Sequence, residues 1–196
     1  MSFSIFHGEN YHDRAERLIA NYNPATLIIL PSNRHERIWR ENVRNCHKNI
    51  VNFNIFAYNQ WINALFDQLC LIQPEPYNLK KPANEMIKSL LLKNGLQKIQ
   101  PDQDISLSLI ENYTTTIEEL LNTGYNSNSF KKNCDLIQLP DYLKQITPLF
   151  QIYESEVLNY LSDDFIKTFD VMHTLDLDLF TKRFPAVNKI IVYGID

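Results

Sequence analysis

The chain has 196 residues and carries 19 lysines and arginines against 23 aspartates and glutamates, a formal charge of −4. A composition of 44% hydrophobic, 21% charged and 12% aromatic residues excludes disordered, collagenous and membrane-protein classes, and at about 150 residues per domain the length suits one domain or slightly more. No apolar run is longer than four residues, Leu27–Leu30 among them, far short of the roughly 20 residues of a bilayer span. Met1–Asn10 lacks the basic and apolar regions of a signal peptide, and Cys46, Cys70 and Cys134 read as free thiols of a reducing, cytoplasmic compartment.

The first third of the chain alternates strand and helix signals. Phe3–His7, bounded by Gly8, predicts a strand. Asn10–Tyr22 places Ala15, Leu18, Ile19 and Tyr22 at helical spacing. Thr26–Leu30 is a β-branched and apolar strand of the kind covered on both faces in a parallel sheet, and Pro31 stops it. Ser32 or Asn33 caps a helix to about Cys46, with Ile38, Trp39 and Val43 turned inward. Ile50–Ile55 predicts a third strand. Trp61, Ile62, Leu65, Phe66, Leu69 and Cys70 then form an apolar stripe over three helical turns. Short connections in a β-α-β-α-β-α order predict a parallel sheet with right-handed crossovers.

The middle of the chain reads as helical. Gln73–Pro82 is a proline-rich loop. Ala83–Lys93 is a helix packing Met86, Ile87, Leu90 and Leu91, and Gly95–Asp104 is a second loop. Ile105–Leu121 turns Leu109, Ile110, Tyr113, Ile117 and Leu120 inward, before a turn cluster around Gly124. Asp141–Leu161 is a long helix with Ile146, Phe150, Tyr153, Val157 and Tyr160 on one side and a kink at Pro148. Asp164–Leu175 is another helix, and Asn188–Tyr193 is a closing apolar strand. A core strand at the end of the chain predicts an N-terminal piece of something longer.

A phosphate-binding loop would sit after Phe3–His7. It needs a glycine-rich turn, a lysine for the outer phosphates and a hydroxyl for Mg²⁺. In that register the chain offers Gly8, then Asp13 for the second glycine, Arg14 for the lysine and Ala15 for the hydroxyl. Asp13 would repel a polyphosphate and Ala15 cannot hold a metal, so the segment reads as a degenerate loop. After the second strand, Ser32, Asn33, Arg34 and Arg37 stand at a helix N-terminus, well placed for phosphate oxygens. Arg34, Arg37, Arg40, Arg44 and Lys48 follow at 3-, 3-, 4- and 4-residue steps as a basic stripe. The plainer reading is a solvated face with Glu36 and Glu41 as partners. No histidine pair or cysteine pair has ligand spacing, so no metal site is expected. Asp163 and Asp164 read as helix caps, and no acidic-x-Lys nuclease pattern or G-x-S-x-G elbow occurs.

The string Thr26–Val43 (TLIILPSNRHERIWRENV) resembles the segment of superfamily 1 helicases in which a strand runs into a T-N-K-A-A-type single-strand DNA contact. It is closer still to the P-[ST]-x-R form in the B subunit of AddAB-type helicase–nucleases. Ser32, Asn33 and Arg34 match the Thr, Asn and Lys positions. Ile55–Trp61 (IFAYNQW) is similar to the T-F-H-S-L motif, with Ala57 for Thr and Tyr58 at the aromatic position. Lys189–Asp196 (KIIVYGID) looks like the Walker B strand, with Tyr193 and Gly194 where an active motor has acidic residues.

The resemblance implies a P-loop-NTPase-like α/β fold: a parallel sheet with flanking helices over 1–74 and 186–196 and an inserted all-helical subdomain over 75–185. It further implies an ATPase-inactive region of a helicase–exonuclease subunit acting in double-strand-break repair and recombination. Its partners would be DNA and an A-type motor subunit, with no membrane contact. DNA contacts would fall to Ser32, Asn33, Arg34, Arg37, Tyr58 and Trp61. No cofactor is expected in this fragment, ATP and Mg²⁺ belonging to the parent complex. The departures at Asp13, Arg14, Ala15, Tyr193 and Gly194 remove most of the electrostatic stabilisation that phosphoryl transfer needs. Two other readings stand beside this one: a small nucleotide-binding enzyme using Gly8 and Arg14, and a ligand-free interaction scaffold.

Overall fold

The computed structural model describes residues 2–5, 11–77, 79–101, 105–137 and 146–194. The chain forms two compact units, Met1–Ile72 with Val171–Asp196, and Gln73–Asp170. The second stretch of the first unit starts at Val171.

The first unit is built on a parallel sheet. Strands β1 (Ser2–Ile5), β2 (Thr26–Leu30), β3 (Ile55–Ala57) and β6 (Lys189–Val192) lie in the order β1-β6-β2-β3. The three strands expected to share a sheet do so: β6 pairs Ile190 with Phe3 on one side and with Leu27 on the other. Leu27–Leu30 is buried throughout, as a strand covered on both faces must be, and each such side chain is worth about 1.5–3 kcal/mol. Helices α1 (Tyr11–Ala20) and α2 (Asn33–Cys46) contribute Ile19, Trp39 and Val43 to a core with Ile28, Leu30, Ile55 and Ile191. Helix α3 (Tyr58–Ile72) packs on β2, β3 and the helix Leu177–Arg183, a helix the sequence reading lacked.

Two expectations for this unit are corrected. The third strand is Ile55–Ala57, not Ile50–Ile55. Ile50 N donates to His47 O (3.1 Å) in a turn after α2. Asn54 is held sideways, with its N–H on the Tyr22 hydroxyl (2.7 Å) and its amide on Pro24 O (2.6 Å), so pairing starts only where Ile28 N reaches Asn54 O (2.8 Å). On α2, Ile38 is 44% exposed and Glu36 is buried in its stead, because Glu36 is paired with Arg40 Nε at 2.8 Å.

The second unit is helical. It contains α4 (Pro74–Tyr77), α5 (Glu85–Ile99), α6 (Leu107–Asn122), α7 (Ser127–Ile137) and a helix over Ile146–Tyr160 that widens to a π-turn at Tyr153–Val157. A two-residue parallel pair joins β4 (Lys81–Pro82) to β5 (Leu161–Ser162), and the helix Asp164–Thr174 follows. Ile110, Tyr113, Ile117, Ile146, Phe150, Tyr153 and Val157 enter the core as expected. Leu109 and Tyr160 stay exposed, and 141–145 lie outside the described residues. The irregularity falls at the π-turn and not at Pro148, which sits in the first turn of Ile146–Ile152, where a proline removes no helical hydrogen bond.

Helix α5 reverses its predicted face. It runs on to Ile99 through the expected loop, exposes Met86 (62%), Ile87 and Leu90, and buries Lys88 and Ser89. Lys88 has no exposed surface. Its Nζ donates to Glu85 (2.7 Å), Glu118 (2.5 Å) and Asp163 (2.8 Å). The Tyr153 hydroxyl also donates to Glu118 (2.7 Å). Burial pulls the Lys88 ammonium toward the neutral form, but the hydrogen bonds to Asp163, Glu118 and Glu85 outweigh it and raise its pKa. Burial, and next the Glu118 charge, raise that of Tyr153. Both groups bind their protons more tightly folded than unfolded, so their stabilisation is full below the ordinary values of 10.5 and 10.0 and is lost as pH rises beyond them. Helical circular dichroism should therefore hold to about pH 10 and fall above it. Lys88→Met should flatten that alkaline limb, and an unchanged limb would contradict the assignment.

Helix α5 also approaches the Ile146–Ile152 helix closely. A Cβ on Gly95 would lie 2.7 Å from Ile152 Cγ2, and that branched side chain has little freedom to yield. Gly95→Ala should thus destabilise by about 1–3 kcal/mol despite alanine's better helix propensity. In urea unfolding, combining it with Ile152→Ala should cost less than the sum of the two single changes.

Candidate nucleic-acid interface

Helix α2 begins where β2 ends, at the carboxyl edge of the sheet, the edge at which parallel α/β folds bind ligands. Ser32 caps it, with φ −150°, ψ 162°. Its Oγ lies 3.5 Å from His35 N, which donates to it, and 2.8 Å from His35 Nδ1. Asn33 Oδ1 accepts from Gln60 Nε2 at 3.2 Å, which ties the start of α2 to the start of α3. Ser32 and Asn33 are thus partly engaged in holding the two helix starts. Arg34 and Arg37 are exposed and make no hydrogen bond or ion pair among the described residues.

The predicted basic stripe resolves into two kinds of arginine. Arg40 is structural: its Nε and Nη2 donate to Ile55 O at 3.1 and 2.7 Å, and it pairs with Glu36. It thereby satisfies a carbonyl of β3 and neutralises a buried carboxylate. Arg44 is exposed, with its guanidinium 5.7 Å from the Phe53 ring centre, a cation–π distance that holds it on this face. The helix ends at Cys46 with His47 as its C-cap, so Lys48 leaves the stripe. Asn33, Arg34, Arg37, Arg40, Arg44, Glu36 and Glu41 line a groove of about 660 Å³. Since Arg40 cancels Glu36, Arg34, Arg37 and Arg44 face only Glu41, a local excess of positive charge on an acidic chain.

The aromatic expectations divide. Tyr58 is half-buried at the start of α3, its ring 6.0 Å from Trp61 and its hydroxyl pKa raised by burial. Trp61 is only 8% exposed, and its Nε1 has no hydrogen-bond partner among the described residues. A base cannot stack on a ring enclosed in this way, and the expected Trp61 contact is corrected: the accessible aromatic is Tyr58. Gly8 lies outside the described residues. Arg14 is half-buried on α1. Sequence spacing did not reveal Phe53 or Gln60 as supports. Phe53 sits in a strand-like stretch and Gln60 in the first turn of α3, and nothing in the sequence marks which helix either one meets.

The division of labour on α2 is measurable. Arg40→Ala leaves a β3 carbonyl and a buried Glu36 without a partner, and should cost about 2 kcal/mol in chemical denaturation. Arg34→Ala and Arg37→Ala remove only exposed side chains and should stay within about 0.5 kcal/mol of the parent. In comparisons with protein-family models, with curated proteins and with solved structures, none matches this chain.

Proposed function

We propose that this chain is a helicase-like, ATPase-inactive DNA-binding region of a double-strand-break processing subunit, and that the α2 groove is where it holds the phosphate backbone. The observation that carries the reading is the set of three exposed arginines, Arg34, Arg37 and Arg44, in one groove on a helix that starts at the carboxyl edge of a parallel sheet. Guanidinium groups on such a face suit phosphate oxygens, and the contacts position a strand without reading its sequence. Tyr58, two residues before Asn33's partner Gln60, offers a partly exposed ring against a base.

The P-loop-like part of the reading draws support from strand order. The C-terminal strand runs between β1 and β2, so Tyr193 and Gly194 follow its end, where the resembled motors carry carboxylates. Tyr193 is buried with its ring 4.9 Å from Trp39, and Gly194 has φ +69°. Neither offers an oxygen-rich side chain for a metal-bound nucleotide, and hydrolysis falls in this proposal to a partner motor subunit.

Single-stranded DNA binding followed by fluorescence anisotropy tests the reading. Three phosphate contacts predict a log–log salt slope of about −2, a loss of roughly 16-fold in affinity between 50 and 200 mM salt. The double variant Arg34→Ala/Arg37→Ala should weaken binding at least about tenfold and cut the slope by about 1.4. Binding that survives the double change with its slope intact would remove the groove from the function. A rise in melting temperature with ATP and Mg²⁺ would favour the nucleotide-binding enzyme instead.

A further inference from the structure

The helical unit holds a charged cluster that the DNA reading does not use. Glu85 opens α5, Glu118 lies in α6, and Asp163 precedes the helix Asp164–Thr174, whose Ile166 N–H it also accepts at 2.8 Å. Each offers a carboxylate oxygen, and these oxygens lie within 4.8 Å of one another. Three carboxylates so close repel strongly unless a cation stands among them. The cation is Lys88. An ammonium has three N–H donors, and here each donor has one carboxylate, at 2.5–2.8 Å. Lys88 is fully buried, so water cannot take its place, and Tyr153 brings the π-turn to the same Glu118.

We propose that Lys88 is the built-in counter-ion of a three-carboxylate cage with the make-up of a divalent-cation site, and that the helical unit assembles around this ammonium. All the ligand atoms are hard oxygens, the set that suits Ca²⁺ and Mn²⁺. Their present spacing about Nζ is only a few tenths of an ångström longer than calcium–oxygen distances of about 2.3–2.6 Å. Lys88→Ala would vacate the centre and keep all three carboxylates, which a divalent cation would then hold together against their repulsion. The cage then becomes a metal site, and the metal does what the ammonium did.

The test uses the full chain. Wild-type protein should melt at the same temperature in EDTA and in millimolar CaCl₂, since its cage is filled. Lys88→Ala should melt more than about 10 °C lower in EDTA and recover at least half of that loss in CaCl₂. With TbCl₃ it should bind one ion whose luminescence is excited through Tyr153, and Tyr153→Phe should dim the emission. A calcium response in the wild type, or no recovery of Lys88→Ala with either ion, would overturn the proposal. A second variant serves if Lys88→Ala alone is too unstable to study. Adding Glu118→Gln should raise its melting temperature in EDTA, because one fewer carboxylate is left without a cation. A further fall on that addition would also overturn it.

Discussion

Strand Lys189–Val192 pairs with Ser2–Ile5 on one side and with Thr26–Ile29 on the other, and the sheet unit depends on this double ladder. A parallel strand exposes unpaired N–H and C=O groups along both edges until neighbours arrive. Here the neighbour of β2 comes from the far end of the chain. Closing so long a loop costs little more than closing one half its length, about 0.6 kcal/mol per doubling, and the intervening segment carries its own core. The pairing also fixes the carboxyl edge of the sheet, from which α2 leaves β2 and α3 leaves β3 within a residue or two. The Asn33–Gln60 bond then holds those two helix starts together.

The two units use charge in opposite ways. On α2 the arginines that would serve a ligand stand exposed, Arg44 touching only the Phe53 ring among the described contacts, and the one that serves the fold, Arg40, is spent on Ile55 O and Glu36. In the helical unit the charge is internal, and Lys88 has no role at the surface at all. A buried ion set of this kind is a weak source of net stability against an apolar core of the same volume. Its strength lies in the asymmetry: with the ammonium in place every donor is satisfied, and with it removed three carboxylates are left to repel. Such a set selects one arrangement of α5, α6 and the π-turn over slipped alternatives, because each partner comes from a different element.

What could be read from the sequence follows the same physics. Thr26–Leu30 was readable to the residue, since a β-branched run stopped by proline has few other outcomes, and the cap of α2 was narrowed to Ser32 or Asn33, of which Ser32 holds the place. The apolar stripe of α3 was readable too and already set Trp61 on the buried face; it was the resemblance alone that turned this ring toward DNA. Strand β3 was placed too early because Ile50 and Phe53 have strand-like composition, while the sideways bonds of Asn54 depend on Tyr22 and Pro24. Helix α5 was turned the wrong way because apolar periodicity assumes that charge faces water. Met86, Ile87 and Leu90 outvote a single lysine in any such count. The partners that draw Lys88 inward stand at 118 and 163, too far along the chain for spacing to show. The only local hint was Glu85, three residues before it.

A net charge of −4 would repel a polyanion if it acted as a whole, and the length scales show why it does not. At physiological ionic strength the Debye length is about 8 Å, so exposed charges farther apart than this are largely screened from each other. Arg34 and Arg44 are ten residues apart on α2, about 15 Å along the axis. A phosphate in the groove therefore responds to the arginines beside it and to Glu41, and only weakly to carboxylates elsewhere on the surface. The acidic groups that dominate the total include Glu36, already neutralised by Arg40, and Glu118 and Asp163, already bonded to Lys88. Glu36 is compensated where it stands, whereas Glu85, Glu118 and Asp163 share the single positive charge of Lys88, and what remains is weakened by screening. The quantity that decides binding on this face is the local balance of three guanidinium groups against one carboxylate, and that balance is positive.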